Sequence, residues 1–411
     1  MSTAPATEKL PDILEYAARI NPYPVYHALR QQDPVQFHEG WGGWLLTSYR
    51  DIGACLKDPR LSASGTLGKI FDTLPEENRQ ELTPLRDHLE RWMGNLEPPT
   101  HTRVRSPMQR AFTPRLVEEM RPLIQQATDE LLDEVQDRGE MDVVGDLAYP
   151  LPATVIANML GVAFEDRDRF RQWSEHITDF LGAGLFQIEA MRLAQRTVLE
   201  MTEYMREMVV DQRRKGPQDN LIGRFVEGER QGHPIDLEEL LANCVLLLYA
   251  GHETTTILLG NSLHALFENP DQLERIQRDP DLIDGSINEF LRYDSPVQMI
   301  QRSAFEDVEI GGKSIRKGEV LWLVLGAANR DPDQFADPDL LDVTRREDNR
   351  HFAFGLGTHF CLGAALAITE IQISLRTLLR RMPNLRPRPQ AELEWVNNPI
   401  TRALKALPVD F

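Results

Sequence analysis

One long helical pattern, running from Asp236 to the breaker Asn269-Pro270, constrains this chain more than any other feature. Asp236 is an N-cap candidate, and Glu239 three residues later completes a pattern that satisfies the first free N–H groups of a helix. At 1.5 Å per residue the helix is on the order of 50 Å long, enough to cross a whole domain. Gly251 stands in its middle, where it costs roughly 1 kcal/mol against alanine. The hydroxyl of Thr254 can compete for a backbone carbonyl, so the pair predicts a local opening or kink.

Helical periodicity governs much of the rest. Leu116–Gln136 places apolar residues at three- and four-residue steps, and similar patterns cover Leu151–Leu160, Ile188–Arg213, Leu282–Tyr293 and Gly363–Met382. Short β signals occur at Val35–His38, Trp44–Thr47, Val308–Ile310 and Val320–Val324, with Gly311-Gly312 as a tight turn. The expected fold is therefore mainly α with small β-sheets that join distant segments. Residues 21–411 read as a single domain and residues 1–20 as a flexible N-terminal extension.

Composition narrows the function. The chain has 411 residues and a net charge of −19, which opposes binding to nucleic acid or to an acidic membrane surface. Cys55, Cys244 and Cys361 lie far apart, with no CxxC pair and no even set for a disulfide framework, so a reducing cytoplasm is expected. Neither a secretion signal nor a membrane anchor is expected.

The most specific segment is Phe354-Gly355-Leu356-Gly357-Thr358-His359-Phe360-Cys361-Leu362-Gly363, immediately before an amphipathic helix starting near Ala364. N–H groups at a helix start lower a thiol's pKa, so Cys361 is expected to be anionic, the form that binds iron. Gly355, Gly357 and Gly363 allow tight turns and close approach to a flat ligand, and Phe354 can cover the sulfur. By itself a cysteine is more often a buried structural thiol.

This loop, F-G-x-G-x-H-x-C-x-G, strongly resembles the haem-binding loop of the cytochrome P-450 family, in which the cysteine thiolate is the axial iron ligand. Ala250-Gly251-His252-Glu253-Thr254-Thr255 looks like the family's oxygen-activation motif. Glu289-Phe290-Leu291-Arg292 is similar to its E-x-x-R pair, and His101-Thr102-Arg103-Val104-Arg105 to its H-x-x-x-R element. Arg302 and Asn329-Arg330-Asp331-Pro332 also match family positions. The resemblance implies the family's fold, with haem b between the long distal helix and the Cys361 loop.

Roles follow from the resemblance residue by residue. Glu253 and Thr254 form an acid and alcohol relay for protons, while His252 has no assigned chemistry. His101, Arg105, Arg302 and His359 are the partners of the haem propionates. Glu289 and Arg292 form a buried structural pair; the family often has Arg where Leu340 stands, and either Arg345 or Arg346 could complete that network. Leu247, Ala250, Gly251, Val297, Met299, Ile300 and Ile400 are expected to line the substrate pocket, within a wall that also takes in Leu61–Trp92 and Phe180–Phe186.

The implied activity is that of a soluble bacterial-type haem-thiolate monooxygenase of secondary metabolism. It would insert one oxygen atom from O2 into an apolar small molecule, by hydroxylation or epoxidation. No flavin, nicotinamide or iron–sulfur module is recognisable, so electrons from NAD(P)H would arrive through a separate ferredoxin or flavodoxin and its reductase. The protein is expected to act as a monomer, with Arg103 and Arg110 as docking residues on its cysteine side. A peroxide-driven haem enzyme of the same fold and a non-catalytic haem-binding sensor are the alternatives.

Overall fold

Pro24 at the second position of a helix sacrifices no bond, since the first N–H groups have no partner inside the helix, and the first described helix is Tyr23–Gln32 (α1). The computed structural model describes residues 20–64, 66–163, 166–181, 187–232, 235–346, 350–389 and 391–411. The expected 1–20 extension, apart from Ile20, and residues 182–186 of the expected pocket wall lie outside these.

Strands Val35–His38 (β1) and Gly43–Leu46 (β2) form an antiparallel pair. With Leu61–Ser62 (β3), Ile300–Ala304 (β4) and Val320–Leu323 (β5) they make one sheet in the order β1-β2-β5-β4-β3. β5 runs parallel to β2 and antiparallel to β4, with Leu321 opposite both Trp44 and Arg302. A hairpin, Val308–Ile310 with Lys313–Ile315, hangs beside the sheet. Gly311 and Gly312 turn it at φ +57 and +75, and a Cβ on Gly311 would come within 2.6 Å of Val35 Cγ2.

The helices that frame the site are Thr100–Ala111 (α2), Pro114–Gln136 (α3), Pro150–Leu160 (α4), Arg167–Leu181 (α5), Ile188–Lys215 (α6), Leu237–Glu268 (α7), Leu282–Tyr293 (α8) and Ala364–Arg381 (α9). Asp236 caps α7 as expected, its carboxylate accepting from the Glu239 N–H at 3.1 Å. Two apolar cores share this helix. Leu240, Leu241, Val245 and Leu248 pack with α4 and α6, whereas Leu258, Leu259, Leu263 and Leu266 pack with α8 and α9. The segment between, Tyr249 to Ile257, is left to carry polar residues through the middle of the molecule.

α7 is continuous through Gly251, so the expected opening is not seen. Gly251 has a packing reason instead: a Cβ there would lie 3.2 Å from Ile156 Cδ1 of α4. Val143–Leu160 is the one described helical stretch long and apolar enough to cross a membrane, and more than half of it is buried inside the protein.

Early and late segments of the described chain meet. The Arg330 guanidinium lies between the Tyr23 and Tyr293 rings, 3.5 and 3.9 Å from their centroids. Tyr23 donates to Asp294 at 2.7 Å, and Arg402 donates to the same carboxylate at 2.9 Å.

Candidate active site

Cys361 sits in a loop turned by Gly355 and Gly357, at φ +68 and +71. Its backbone N–H donates to the Phe354 carbonyl at 2.9 Å, closing the loop just before α9. Cys361 is exposed and lines a cavity of about 370 Å³ whose wall also includes Phe354, Gly355, His359 and Gly363. Burial raises its pKa, and the N–H groups of Gly363 and Ala364 and the Arg105 charge pull it down without compensating.

Cations gather on one side of that cavity. Arg105 on α2 reaches across to the Phe360 carbonyl at 2.5 Å. Arg302 on β4 is almost fully buried and donates to the Gln301 carbonyl at 2.8 Å. His359 stands 3.7 Å from Glu97, whose other oxygen accepts from Ser62 Oγ and Ala63 N–H, both at 2.7 Å. Burial opposes ionisation of Glu97, but the nearby His359 and the hydrogen bonds from Ser62 and Ala63 prevail and bring its pKa down to about 2. His101 is not in the cavity wall; it packs behind His359 at 4.6 Å between rings, and both its ring nitrogens are buried without partners. Burial, then the charges of His359 and Arg105, lower its pKa to about 4.

The middle of α7 forms the opposite wall. Leu247, Ala250, Gly251 and Thr254 line the same cavity as Cys361, and the Thr254 hydroxyl donates to the Ala250 carbonyl at 3.0 Å. Glu253 does not join them. It lines a second cavity, about 390 Å³, with Asp179 and His252, and accepts from Thr178 at 2.8 Å. Burial pushes its pKa up to about 7 against the bonds from Thr178 and Tyr249. His252 bonds Ser174 and the Tyr149 carbonyl, at 2.9 and 3.1 Å, which fixes α7 to α5.

Val297 and Ile300 complete the apolar wall with Leu246, Ile156 and Phe112. Met299 and Ile400 do not take part. Neighbours in an extended chain point to opposite sides, so Met299 turns away from Ile300 and packs, fully buried, against Tyr26 and Leu45. Ile400 uses its carbonyl to accept from Gln298 N–H at 2.7 Å, beside the Val297–Thr401 bridge, and its side chain stays outside the wall.

Glu289 and Arg292 of α8 are completely buried and doubly bonded, at 2.7 and 2.8 Å. Arg292 also donates to the carbonyls of Asn329, Pro338 and Leu340. Arg345 is the residue that completes the network, its Nε 3.2 Å from Glu289, whereas Arg346 lies over Gly285. Asn329 carries this order to the cysteine loop: Nδ2 donates to Ser295 and Oδ1 accepts from Phe352 N–H at 2.7 Å.

Three comparisons agree with this geometry. The family model "Cytochrome P450" matches residues 75–392. This chain belongs to the cytochrome P-450 family. It is 41% identical over 417 residues to cytochrome P-450 107B1 of Saccharopolyspora erythraea, covering 98% of each chain. It is 38% identical over 401 residues to the biotin biosynthesis cytochrome P-450 of Bacillus subtilis, covering 95% of this chain and 96% of that one. Among solved structures, that of P450BioI in complex with hexadec-9Z-enoic acid ligated acyl carrier protein superposes with a TM-score of 0.88 at 37% identity, over 96% of this chain and 99% of that chain.

The residues present fit haem b, the family's cofactor. An apolar slot has a thiol on one wall, and its edge gathers Arg105, Arg302 and His359 with unpartnered His101 behind them, a donor set suited to two carboxylates. Bound there, haem supplies the iron at which O2 is activated. Family members are cytochrome P-450 monooxygenases and hydroxylases, including PikC of Streptomyces venezuelae and a vitamin D(3) 25-hydroxylase of Pseudonocardia autotrophica. Glu97 and Glu370 escaped the sequence reading. Glu370 carried a signal, as a charged residue on the apolar stripe of α9 among Leu366, Ile371 and Leu375.

Proposed function

We propose that this protein hydroxylates or epoxidises an apolar small molecule, taking O2, two electrons and two protons and releasing water. The observation that carries this reading is that the Thr254 hydroxyl and the Cys361 thiol face one another's wall across a single, largely apolar cavity. Cys361 would supply the sulfur that holds the haem iron, and Arg105, Arg302 and His359 would bind the haem carboxylates. Leu246, Leu247, Val297 and Ile300 hold the substrate and exclude water. Thr254 orients the proton donor, because its hydroxyl can leave the Ala250 carbonyl and bond a molecule in the cavity. Glu253, on the far side of α7, loads the relay from the second cavity.

The substrate class we favour is a long aliphatic or polyketide-type chain. The part of the wall near Thr254 is mostly aliphatic, with Ile156, Leu246, Leu247, Val297 and Ile300 beside Phe112, and relatives are named for biotin biosynthesis and polyketide biosynthesis. Electrons come from a ferredoxin or flavodoxin and its NAD(P)H-dependent reductase, in the cytoplasm, to a monomeric domain spanning 21–411. Of the expected docking pair, Arg103 is already neutralised by a two-pronged bond to Glu239, at 2.5 and 2.6 Å, while Arg110 bonds only the neutral Ser106 among the contacts described. Arg110 is therefore the better docking residue.

Screening fatty acids, polyketides, steroids and terpenoids for the haem spin-state change, followed by turnover with NAD(P)H and redox partners against peroxide alone, tests the reading. Turnover of an aliphatic ligand only with redox partners is expected. Equal turnover with peroxide alone would favour the peroxide-driven alternative, and ligand binding without turnover the sensor.

A further inference from the structure

Asn243 is the one amide in a stretch of α7, Leu240 to Val245, whose side chains are all fully buried. Its hydrogen bonds account for it. Oδ1 accepts from the Met93 N–H at 2.8 Å, and Nδ2 donates to the Arg91 carbonyl at 2.9 Å and to the Glu239 carbonyl, one turn back on α7, at 2.8 Å. An N–H can only donate and a carbonyl can only accept, so the amide has one orientation and both its N–H groups are used. The partners outside α7 belong to residues 91–95, which follow the helix Thr83–Glu90 and put Met93 and Gly94 into the wall of the haem cavity. Asn243 itself does not line that cavity.

An amide bonded to the Arg91 carbonyl and the Met93 N–H stands in for the peptide group of a neighbouring strand. A slip of one residue breaks both bonds at once, so the pairing fixes register as well as distance. Residues 91–95 have a second hold on α7, since the Trp92 ring stacks on Tyr249 with centroids 6.2 Å apart and 21° between the planes. Stacked rings can slide, whereas directional bonds weaken steeply when misaligned. At the loop's far end Asn95 Nδ2 donates to the Leu89 carbonyl at 2.9 Å. We propose that Asn243 is a positioning residue: it locks residues 91–95 onto α7 and thereby sets where Met93 and Gly94 stand in the wall that meets the substrate. Without it the buried Met93 N–H loses its partner, and the loop has to shift to find another.

This role rests on the reading of the cavity as the substrate's, and probes that bind the haem iron without turnover keep the two separable. Imidazole needs only the iron, whereas N-dodecylimidazole carries a chain that must lie along the wall. In the haem-loaded wild type the Met93 N–H should exchange slowly with D2O, and dodecylimidazole, unlike imidazole, should protect residues 91–95 further. Asn243→Leu should speed exchange there and weaken dodecylimidazole about tenfold, the size of one well-made hydrogen bond, while imidazole changes less than about twofold. Gln212→Leu is the matched control, because Gln212 is a buried amide that also clamps a loop, accepting from the Gln218 N–H at 3.1 Å, and does not line the haem cavity. It should leave the ratio of the two affinities unchanged. Equal losses of both probes in Asn243→Leu, or the same change of ratio in Gln212→Leu, overturn the positioning role. The wild-type exchange data decide even if Asn243→Leu does not fold: a fast Met93 N–H, or no added protection from dodecylimidazole, overturns it. A protein that passes these tests and turns over no substrate counts against the monooxygenase reading alone.

Discussion

Glu253 and Thr254 are adjacent in sequence but open onto different cavities, Thr254 toward Cys361 and Glu253 toward Thr178 and Asp179. A helix turns about 100° per residue, so Glu253 and Thr254 can address different faces of α7. The acid and the alcohol therefore act as two stations on a wall, one facing each space, rather than as a pair facing the reaction.

Replacing Thr254 with Ala removes the hydroxyl from the reaction side only. Haem and substrate binding should persist while product per NAD(P)H falls by roughly a hundredfold, the lower end of what a positioned proton relay contributes, and peroxide release rises. Product and peroxide measured against NAD(P)H consumed check this; unchanged coupling removes the hydroxyl from the relay.

The raised pKa of Glu253 makes stability depend on pH. Its folded value, about 7, lies above the ordinary 4.5, so the fold favours the protonated form. That contribution is complete below 4.5, declines as pH rises, and is gone above about 7. The difference amounts to about 3 kcal/mol at most. Glu253→Gln should flatten the stability profile in this window and gain on wild type at its alkaline end, as read by urea midpoints across pH. Parallel profiles would show that Glu253 titrates normally.

Cys361→Ser should fold and lose the strongly red-shifted Soret band of the reduced carbon monoxide complex, since a hydroxyl cannot replace thiolate donation. Retention of that band by the serine variant would place the iron ligand elsewhere.

Arg345→Leu should destabilise the protein by about 3 kcal/mol, because it strips one cation from a carboxylate that has no access to water. Arg346→Leu should stay within about 0.5 kcal/mol, as expected away from such a network. Denaturant unfolding of both variants ranks them, and equal losses would remove Arg345 from its place in the network.

Legibility in the sequence followed the range of the cause. The Cys361 loop was readable because its glycines, phenylalanine and thiol are contiguous and act on one another directly. The Asp236 cap and the Gly311-Gly312 turn were readable for the same reason. Whether Met299 or Ile300 faced the cavity depended on strand phase, fixed by pairing with Val320–Leu323 from a later segment. The partner of Glu289 was undecidable between Arg345 and Arg346 until the loop's path was known. Arg103 looked like free charge because its partner Glu239 is supplied by the far end of a different helix.

The contacts around Tyr23 make the molecule a closed loop in mechanical terms. Tyr23 from the beginning of the described chain and Arg402 from its end hold the same buried Asp294, and Arg330 is clamped between Tyr23 and Tyr293. Peeling α1 away would strand the Asp294 carboxylate with half its partners and bare one face of a buried guanidinium, a cost far above that of fraying a surface helix. Helix α1 is thus a tie between the early and late parts of the described chain, and these should let go only when the whole structure does.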